Sequence, residues 1–181
     1  MSDDWRDLEQ ARHGDEAAWR RLTERHLSRL AALALLLTGS ADFAQDAAQE
    51  AFVQLLKANP APKRGTLRGY LTTIVYHFAL KEHRRTGRYQ DIESHSLEDE
   101  SPSALEQIVR SERERLVIRA IHALDDAHRT TLVLRFYGDH SYEEIAALTG
   151  VPLGTVKSRL FYAVKQCREW LKVKGVLEEC M

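Results

Sequence analysis

The chain has 181 residues, of which 44% are hydrophobic and 29% charged, and its formal net charge is −1. This length suits one domain or two small ones. Cys167 and Cys180 are far from any C-x-x-C pair, which argues against a disulfide framework or a zinc site and favours a reducing cytoplasm. The longest apolar run, at 30–37, is shorter than the roughly 20 residues of a membrane helix, and the acidic N-terminus is unlike a signal peptide. We therefore expect a cytoplasmic protein with no cofactor, no metal site and no membrane insertion.

Charge is segregated along the chain. Residues 1–60 carry a net −3, 61–88 a net +6, 89–112 a net −6 and 113–181 a net +2. The small overall charge therefore hides a basic segment that is followed at once by an acidic one. Because local fields decide whether a surface binds a polyanion, a nucleic-acid partner stays open.

Helical periodicity dominates the first part of the chain. Apolar residues recur at intervals of three and four from Trp5 to Lys57, with breaks at 14–15 and 38–42. Ser40 or Asp42 is expected to cap the helix that follows the second break. The segment NPAPKRG then stops that helix, and a further helix is predicted from about Leu67 to Arg85. Its inner face should carry Leu71, Ile74, Val75 and Phe78.

The segment 87–103 is acidic, contains Pro102 and lacks periodicity, so we interpret it as a flexible linker. Helical pattern resumes from Leu105 to about Leu124, and a further helix is closed by Gly138. We find no alternating strand pattern and no internal repeat. The predicted fold is all-α, with two small helical domains joined by an acidic flexible linker.

The stretch HSYEEIAALTGVPLGTVKSRL, residues 140–160, predicts two short helices around a tight turn. Ser141 and Glu144 have the spacing of a capping box, and Gly150 can supply a left-handed stop. Pro152 is expected in the first turn of the second helix, where its missing N–H costs little. The stretch therefore predicts a helix-turn-helix.

The second of these helices has one apolar face, on which Val156, Leu160 and Val164 recur at helical spacing. A helix of this kind can enter the major groove of DNA, although a plain helical hairpin with a solvated face has the same spacing. Exposed aromatic side chains on a charged helix favour a binding partner. The residues expected to face outward are Thr155, Lys157, Ser158, Arg159, Phe161 and Tyr162.

Basic and aromatic residues are interleaved over 70–88. Such a surface can hold a phosphate backbone while its rings stack on unpaired bases. A core stripe of Tyr70, Ile74 and Phe78 with solvating charges around it explains the same pattern, which by itself slightly favours that structural interpretation.

A polar ridge is predicted on an earlier helix, where Asp46, Gln49 and Glu50 are spaced at i, i+3 and i+4. Two carboxylates so placed can act as acid and base in an enzyme. No nucleophile, metal-type histidine spacing or glycine-rich loop accompanies them, so a protein-contacting face and a solvated face both remain open. The opposite side of this helix carries Ala47, Ala51 and Leu55.

Taken in order, DAAQEAF, RGYLTTIVYHFALKEHRR, the acidic linker and SYEEIAALTGVPLGTVKSRL resemble the small bacterial sigma factors of the extracytoplasmic-function type. The resemblance covers about residues 5–172. Three motifs in this order and spacing are far more specific than a single helix-turn-helix. The resemblance implies a non-enzymatic protein that binds RNA polymerase core and promoter DNA, and that directs promoter-specific transcription initiation.

The resemblance also implies a division of labour between domains. Residues 1–88 would form a region-2-like domain that binds the clamp of the largest polymerase subunit and the melted −10 element. Residues 89–104 would be the linker. Residues 105–181 would form a region-4-like domain that reads the duplex −35 element and meets the flap of the second-largest subunit. An anti-sigma factor is a further expected partner.

Site residues follow from the same resemblance. The core-polymerase surface would comprise Asp46, Gln49 and Glu50, with Phe52 packing beneath. The −10 surface would comprise Tyr70, His77, Lys81, Arg84, Arg85 and Arg88. The −35 surface would comprise Thr155, Lys157, Ser158, Arg159, Phe161, Tyr162 and Lys165.

The chain departs from the family pattern at four positions. His77 stands where the family often has asparagine and Tyr70 where tryptophan is frequent, which leaves the −10 base preference open. Tyr162 and Ala163 replace a more usual basic pair. Binding of the −35 element is therefore expected to rely more on Lys157, Arg159, Lys165 and Arg168.

Other classes of protein fit parts of the sequence. A stand-alone helix-turn-helix regulator would bind a palindrome as a dimer without polymerase. A helical adaptor or anti-sigma-like protein would use the basic faces only for solubility. An enzyme has the least support.

Overall fold

The computed structural model describes residues 3–58, 60, 65–86 and 111–176. In these segments the chain forms eight helices and no strand. Its contacts divide it into two compact units, Met1–His95 and Ser96–Met181. This confirms the all-helical fold with two small domains, whereas the predicted linker at 89–104 lies outside the described residues.

The first unit is built around its second helix. Its members are α1 (Asp3–Arg12), α2 (Glu16–Thr38), α3 (Ala41–Ala58) and α4 (Leu67–Thr86). Helix α2 packs against the other three, and α3 also packs on α4. Leucine side chains fill the space between them, and burying each contributes about 2 kcal/mol from the apolar surface removed from water. Fully buried examples are Leu22, Leu33, Leu55 and Leu71.

The breaks between these helices lie where the sequence predicts them. Asp15 caps α2, since its carboxylate accepts hydrogen bonds from the backbone N–H of Ala17 at 2.9 Å and of Ala18 at 3.1 Å. Of the two candidate caps for α3, the structure selects Ser40, whose Oγ accepts from the N–H of Phe43 at 3.3 Å. Each cap satisfies donors that the first helical turn leaves without partners.

Ion pairs fasten α1 to α2. The Arg21 guanidinium donates to Asp7 Oδ1 from Nε at 3.0 Å and from Nη2 at 2.7 Å, and Arg25 Nη2 lies 3.3 Å from Asp7 Oδ2. Asp7 is buried, and the Arg21 hydrogen bond holds the pKa of its carboxyl below the usual range. Trp5 and Leu8 of α1 are also buried.

The second unit is built around its last helix. It comprises α5 (Glu112–His122), α6 (Asp126–Phe136), α7 (Tyr142–Thr149) and α8 (Leu153–Val173). Helix α8 packs against the other three, and α6 also contacts α7. None of the helices in the described segments is long and apolar enough to cross a bilayer. The core of this unit includes Ile121, Leu134, Ile145 and Val156.

The start of α5 corrects the sequence interpretation. The helical pattern was predicted to run without a break from Leu105 to about Leu124, but the chain is not helical at Ser111 and α5 begins at Glu112. The part of that prediction before Ser111 lies outside the described residues. Ser111 has extended backbone angles and forms a capping box with Glu114, in which the Glu114 N–H donates to Ser111 Oγ at 3.2 Å. An N-cap residue cannot lie inside a helix, so Ser111 marks its beginning.

The helix-turn-helix of α7 and α8 has the predicted caps. The Ser141 N–H donates to Glu144 Oε2 at 2.7 Å, and the Glu144 N–H donates to Ser141 Oγ at 3.1 Å. Gly150 ends α7 with a φ of 71°, a left-handed conformation that glycine adopts without steric cost. Pro152 immediately precedes α8 instead of lying in its first turn, a difference of one residue.

The connection between α6 and α7 is tightly packed. A Cβ at the buried Gly138 would lie 2.6 Å from the Leu134 carbonyl oxygen, so only glycine fits. Arg135 Nη1 donates to the carbonyl of the buried His140 at 3.0 Å, and the same guanidinium lies 5.3 Å from the centre of the Tyr142 ring. These contacts set the direction in which α7 leaves α6.

The second unit should be acid-sensitive because of His122. Burial, and then the charge of Arg129, lower the pKa of His122 from 6.5 to about 4. Between these values the unfolded chain binds a proton that the folded chain excludes, so stability falls as pH falls through this window. From pH 7 to pH 5 we expect a loss of about 2 kcal/mol in the free energy of unfolding of this unit.

Urea unfolding followed by the indole NMR signal of Trp170 measures this loss in the full chain. His122→Gln should remove most of the pH dependence, whereas His13→Gln, at an exposed position in α1–α2, should leave it unchanged. A His122 pKa near 6.5 by NMR titration would contradict the expected burial effect.

Candidate functional site

An acidic ridge, which we define as Asp46, Gln49 and Glu50, runs along one face of α3. Asp46 and Gln49 are exposed, and Glu50 is half-buried. Gln54 Nε2 donates to Glu50 Oε1 at 2.8 Å, which fixes one carboxylate oxygen one turn further along. The ridge therefore offers at least one freely solvated carboxylate and one that is held by its own helix.

The side of α3 opposite the ridge is core. Ala47, Ala51 and Leu55 are all buried, as the spacing predicts. Phe52 is 5% exposed, and its ring packs edge-to-face with Trp19 of α2 at a centroid distance of 5.6 Å. Phe52 therefore lies beneath the surface, where it anchors α3 on α2.

Two apolar residues extend the acidic ridge and were missed from the sequence. Val53 and Leu56 follow Gln49 at i+4 and i+7, so they lie on the same helical face. Val53 is 40% and Leu56 51% exposed. Their periodicity was visible, but an apolar residue in a helical pattern is normally assigned to the core. The face thus combines carboxylates with an apolar patch.

A basic stripe, which we define as His77, Lys81 and Arg84, follows one face of α4. Its members are spaced at i, i+4 and i+7, and all three are exposed. Tyr70 lies seven residues before His77 on the same face and is half-buried. The stripe therefore places an aromatic ring in line with cationic side chains. The predicted site residue Arg88 lies outside the described residues.

Arg85 differs from the basic stripe beside it. Its Nε and Nη2 donate to both carboxylate oxygens of Glu82, at 2.9 Å and 2.7 Å. This pairing raises the pKa of Arg85, and it offsets the positive charge that Arg85 offers to a ligand. Arg85 is exposed, but it is less available to a phosphate than Arg84.

The aromatic residues of α4 divide between core and surface. Tyr76 is 5% exposed and belongs to the core, as do Leu71 and Val75. Phe78 and Ile74, predicted on the inner face, are half-buried. The core stripe expected from spacing, Tyr70, Ile74 and Phe78, is therefore only half-buried, and the aromatic residue of this helix that enters the core is Tyr76. The basic stripe remains on the surface.

Helix α8 has one buried apolar face and one face that is exposed to solvent. Val156, Leu160 and Ala163 are buried and Val164 is half-buried, so of the pair Tyr162 and Ala163 only the tyrosine reaches the surface. Of the residues expected to face outward, Thr155 and Arg159 are half-buried, and Ser158 Oγ donates to the Thr155 carbonyl at 3.0 Å. The exposed residues of the predicted −35 surface are Lys157, Ser158, Phe161, Tyr162 and Lys165.

An open groove of about 590 Å³ lies along α8. Phe136 and Tyr142 line it from α6 and α7, and Phe136 is 59% exposed. Its α8 wall is basic and apolar, and among the lining residues Glu169 is the single acid. The α8 lining comprises Lys157, Leu160, Phe161, Val164, Lys165, Arg168, Glu169 and Lys172.

The described segments contain no group of three or more histidine, cysteine, aspartate or glutamate side chains that could hold a metal ion. Cys167 is half-buried, and burial raises the pKa of its thiol to about 11. A thiol with that pKa is a poor nucleophile near neutral pH.

These features define a helical DNA-binding type of protein, with a helix-turn-helix in one unit and acidic and basic surfaces in the other. Comparison with known families gives one family match in each unit. The family described as "Sigma-70 region 2" matches residues 22–89, and "Sigma-70, region 4" matches residues 120–169.

Individual relatives of the chain are sigma factors as well. The chain is 34% identical to the ECF RNA polymerase sigma factor SigE of Mycolicibacterium smegmatis, over 87% of this chain and 64% of that protein. It is 33% identical to the RNA polymerase sigma-H factor of Pseudomonas aeruginosa, over 86% of this chain and 87% of that protein. Among solved structures, the sigma factor RpoE in complex with the anti-sigma factor NepR from Bartonella quintana matches with a TM-score of 0.63 and 26% identity. That match covers 86% of this chain and 97% of the other.

The chain belongs to the sigma-70 family, as an RNA polymerase sigma factor of the extracytoplasmic-function class. Sigma factors direct promoter-specific transcription initiation. The region-2 match contains the acidic ridge and the basic stripe, and the region-4 match contains α6, α7 and most of α8.

Proposed function

We propose that the acidic ridge of α3 binds the clamp of the largest subunit of RNA polymerase core. The exposed Asp46 and Gln49 would make polar contacts, and Val53 and Leu56 would add an apolar contact along the same face. Interfaces of this kind commonly combine an apolar centre with a polar rim. Phe52 would act indirectly, because it holds α3 in place from below.

The basic stripe of α4 would bind the melted strand of the −10 element. Lys81 and Arg84 are exposed cations that can pair with phosphates, and the aromatic side chains in line with them can stack on unpaired bases. Arg85 would contribute less because Glu82 already binds its guanidinium. Tyr70 and His77 also lie on this face, so they would contribute to its choice of −10 bases.

Helix α8 would read the −35 element as duplex DNA. Its N-terminal turns carry Lys157 and Ser158 on the exposed face, and the capped α7 precedes it across a tight turn. This is the geometry in which the second helix of a helix-turn-helix enters the major groove. Thr155 and Arg159 are half-buried, so they would support the contact from its edge.

Each unit alone would bind DNA weakly. When polymerase holds both units at one promoter, through the clamp and through the flap of the second-largest subunit, the second contact forms at high effective concentration. Phosphate contacts would supply most of the affinity for DNA, and the few base contacts would supply the specificity for the promoter sequence.

On this proposal the protein has no catalytic activity and no cofactor, and it works in the cytoplasm together with polymerase. An anti-sigma factor that covers the two DNA-binding units would keep it inactive until a signal arrives.

One observation carries this proposal: an acidic ridge, a basic stripe and a helix-turn-helix lie on separate helices within the two matched sigma regions. The test combines the full chain with sigma-free core polymerase and genomic DNA fragments, and maps the 5′ ends of the transcripts. We expect start sites that share two sequence elements at constant spacing. Absence of any chain-dependent start site would overturn the proposal.

Lys157→Ala should weaken use of the −35 element. Loss of a base or phosphate contact there should cost about 1 to 3 kcal/mol, without affecting core binding. Footprinting of the −35 region in the polymerase complex measures this change. Lys174→Ala, beyond the end of the same helix, serves as the charge-matched control, and an unchanged −35 footprint for Lys157→Ala would mean that α8 is not the groove helix.

A further inference from the structure

Two neighbouring aromatic side chains on α8 form a preassembled apolar surface. Phe161 is 66% and Tyr162 52% exposed. Their rings meet edge-to-face, with centroids 5.4 Å apart and planes at 80°. This arrangement is favourable for aromatic pairs, and each side chain has few torsions to immobilise on binding. The pair therefore presents large rings to solvent with their mutual orientation already set.

The pair lies one turn beyond the polar residues that begin the exposed face. Phe161 follows Lys157 by four residues, and Tyr162 follows Ser158 by four. At 1.5 Å per residue, each ring is displaced by about 6 Å along the helix axis. Successive base pairs are about 3.4 Å apart along the DNA axis and further apart along the groove, so the rings should lie about one to two base pairs from those nearest Lys157.

The surroundings of the pair favour a polyanion as its ligand. Lys157, Lys165 and Arg168 are exposed along the groove that Phe161 lines. Glu169 is the one acid in that lining, and its Oε1 lies 4.0 Å from Lys165 Nζ in a contact where both side chains are exposed. Exposed pairs of this kind are weak, so the positive field dominates. An apolar surface inside such a field suits the edge of a DNA duplex.

The major groove offers one apolar group, the 5-methyl of thymine. On the basis of the proposed function of α8, we propose that Phe161 and Tyr162 together bind thymine methyl groups in the −35 element. This pair would determine specificity beyond the polar contacts of Lys157 and Ser158. Tyr162 stands where the family more usually has a basic residue, so it would replace a charged contact with an apolar one.

The test uses holoenzyme assembled from the full chain and core polymerase, and a duplex with the −35 element recovered by transcript mapping. Each thymine of that element is replaced in turn by deoxyuridine, which removes the methyl group and keeps the base pair. Burial of one methyl group corresponds to about a fourfold change in affinity. We expect this loss at one or two thymines, about one to two base pairs from the position affected by Lys157→Ala.

Variants assign the effect to the pair. In the double variant Phe161→Ala with Tyr162→Ala, deoxyuridine should cause no further loss, because the methyl group has no partner left. Tyr162→Phe should keep the sensitivity. Val173→Ala, at an 84% exposed site on the same helix, should behave as the wild type. Both replaced rings are exposed, so circular dichroism should show an unchanged fold.

Two results would overturn the inference and leave promoter recognition intact: no effect of deoxyuridine on the wild type, or an equal effect in the double variant. If the double variant instead loses affinity for core polymerase, the pair contacts protein, which also overturns it. If no promoter is recovered by transcript mapping, the proposed function of α8 fails, and this inference fails with it.

Discussion

Replacing Asp46 and Glu50 together by lysine is expected to lower the affinity for core polymerase by about 100-fold or more. Both side chains lie on the acidic ridge, and Gln54 holds Glu50 in place. A polymerase surface that receives this ridge must carry the opposite charge, so the double reversal turns attraction into repulsion. Like charges brought together at an interface cost several kcal/mol. Fluorescence titration of labelled chain with core polymerase measures the loss.

The matched control reverses two exposed carboxylates elsewhere in the first unit, Glu9→Lys with Glu24→Lys. It makes the same change in net charge, so it should show only the smaller, salt-sensitive effect of the overall field. Circular dichroism should show both variants folded. Equal affinities of the ridge variant and the wild type would mean that α3 does not face the clamp.

Lys81→Glu with Arg84→Glu should leave core binding intact and strongly reduce promoter opening. Both residues belong to the basic stripe, and each would lose a phosphate contact and gain repulsion from the strand. We expect transcript yield to fall by about 100-fold. Permanganate reactivity of unpaired thymines in the −10 region shows whether the DNA melts. Titration with core polymerase shows whether the variant still binds it.

Single alanine replacements at Arg84 and Arg85 compare two adjacent arginines on one helix. Because Glu82 binds Arg85 with two hydrogen bonds, Arg85→Ala should reduce opening less than Arg84→Ala does. The salt dependence of binding should also change more for Arg84→Ala, by about 0.7 in the logarithmic slope for a single strand. An equal effect of the two variants would show that the Glu82 pair opens when DNA binds.

Local signals in the sequence predict most of the helix boundaries, because capping is a local interaction. The Ser141 capping box, the Gly150 stop and the break at 14–15 are all confirmed. Ser111 and Glu114 have the same spacing as Ser141 and Glu144, yet the periodicity that begins at Leu105 concealed this start signal.

Burial on a given face is less predictable, because it depends on where neighbouring helices pack. Spacing places Phe78 and not Tyr76 on the inner face of α4, yet the packing of α4 against α2 and α3 buries Tyr76 more deeply than Phe78. Val53 and Leu56 fit a helical apolar pattern but remain exposed. An exposed apolar residue cannot be recognised until the neighbouring helices are in place.

The charge offered by a surface also depends on side-chain contacts that spacing does not determine. Arg85 is a cationic residue, but its guanidinium is paired with Glu82. Arg84, one residue earlier, is exposed at the end of the basic stripe. In the same way, Gln54 constrains Glu50 and not Asp46. The assignment of roles to individual residues therefore stays a prediction, although the surfaces to which they belong are visible in the sequence.

The departures from the family pattern now have distinct structural settings. Tyr162 is exposed beside Phe161, while Ala163 is buried against the rest of the second unit. Only the first of these substitutions changes the surface that DNA would meet. His77 is exposed on the basic stripe and Tyr70 is half-buried on the same face, so both remain candidates for the −10 contact.

The central claim is that the chain needs polymerase to join its two DNA-binding units. It is tested by the affinity of the full chain for one promoter duplex, measured by fluorescence anisotropy with and without core polymerase at the same salt concentration. We predict that the free chain binds at least about 100-fold more weakly than the holoenzyme. Tight binding by the free chain, above all as a dimer on a palindrome, would contradict this account and identify a stand-alone regulator.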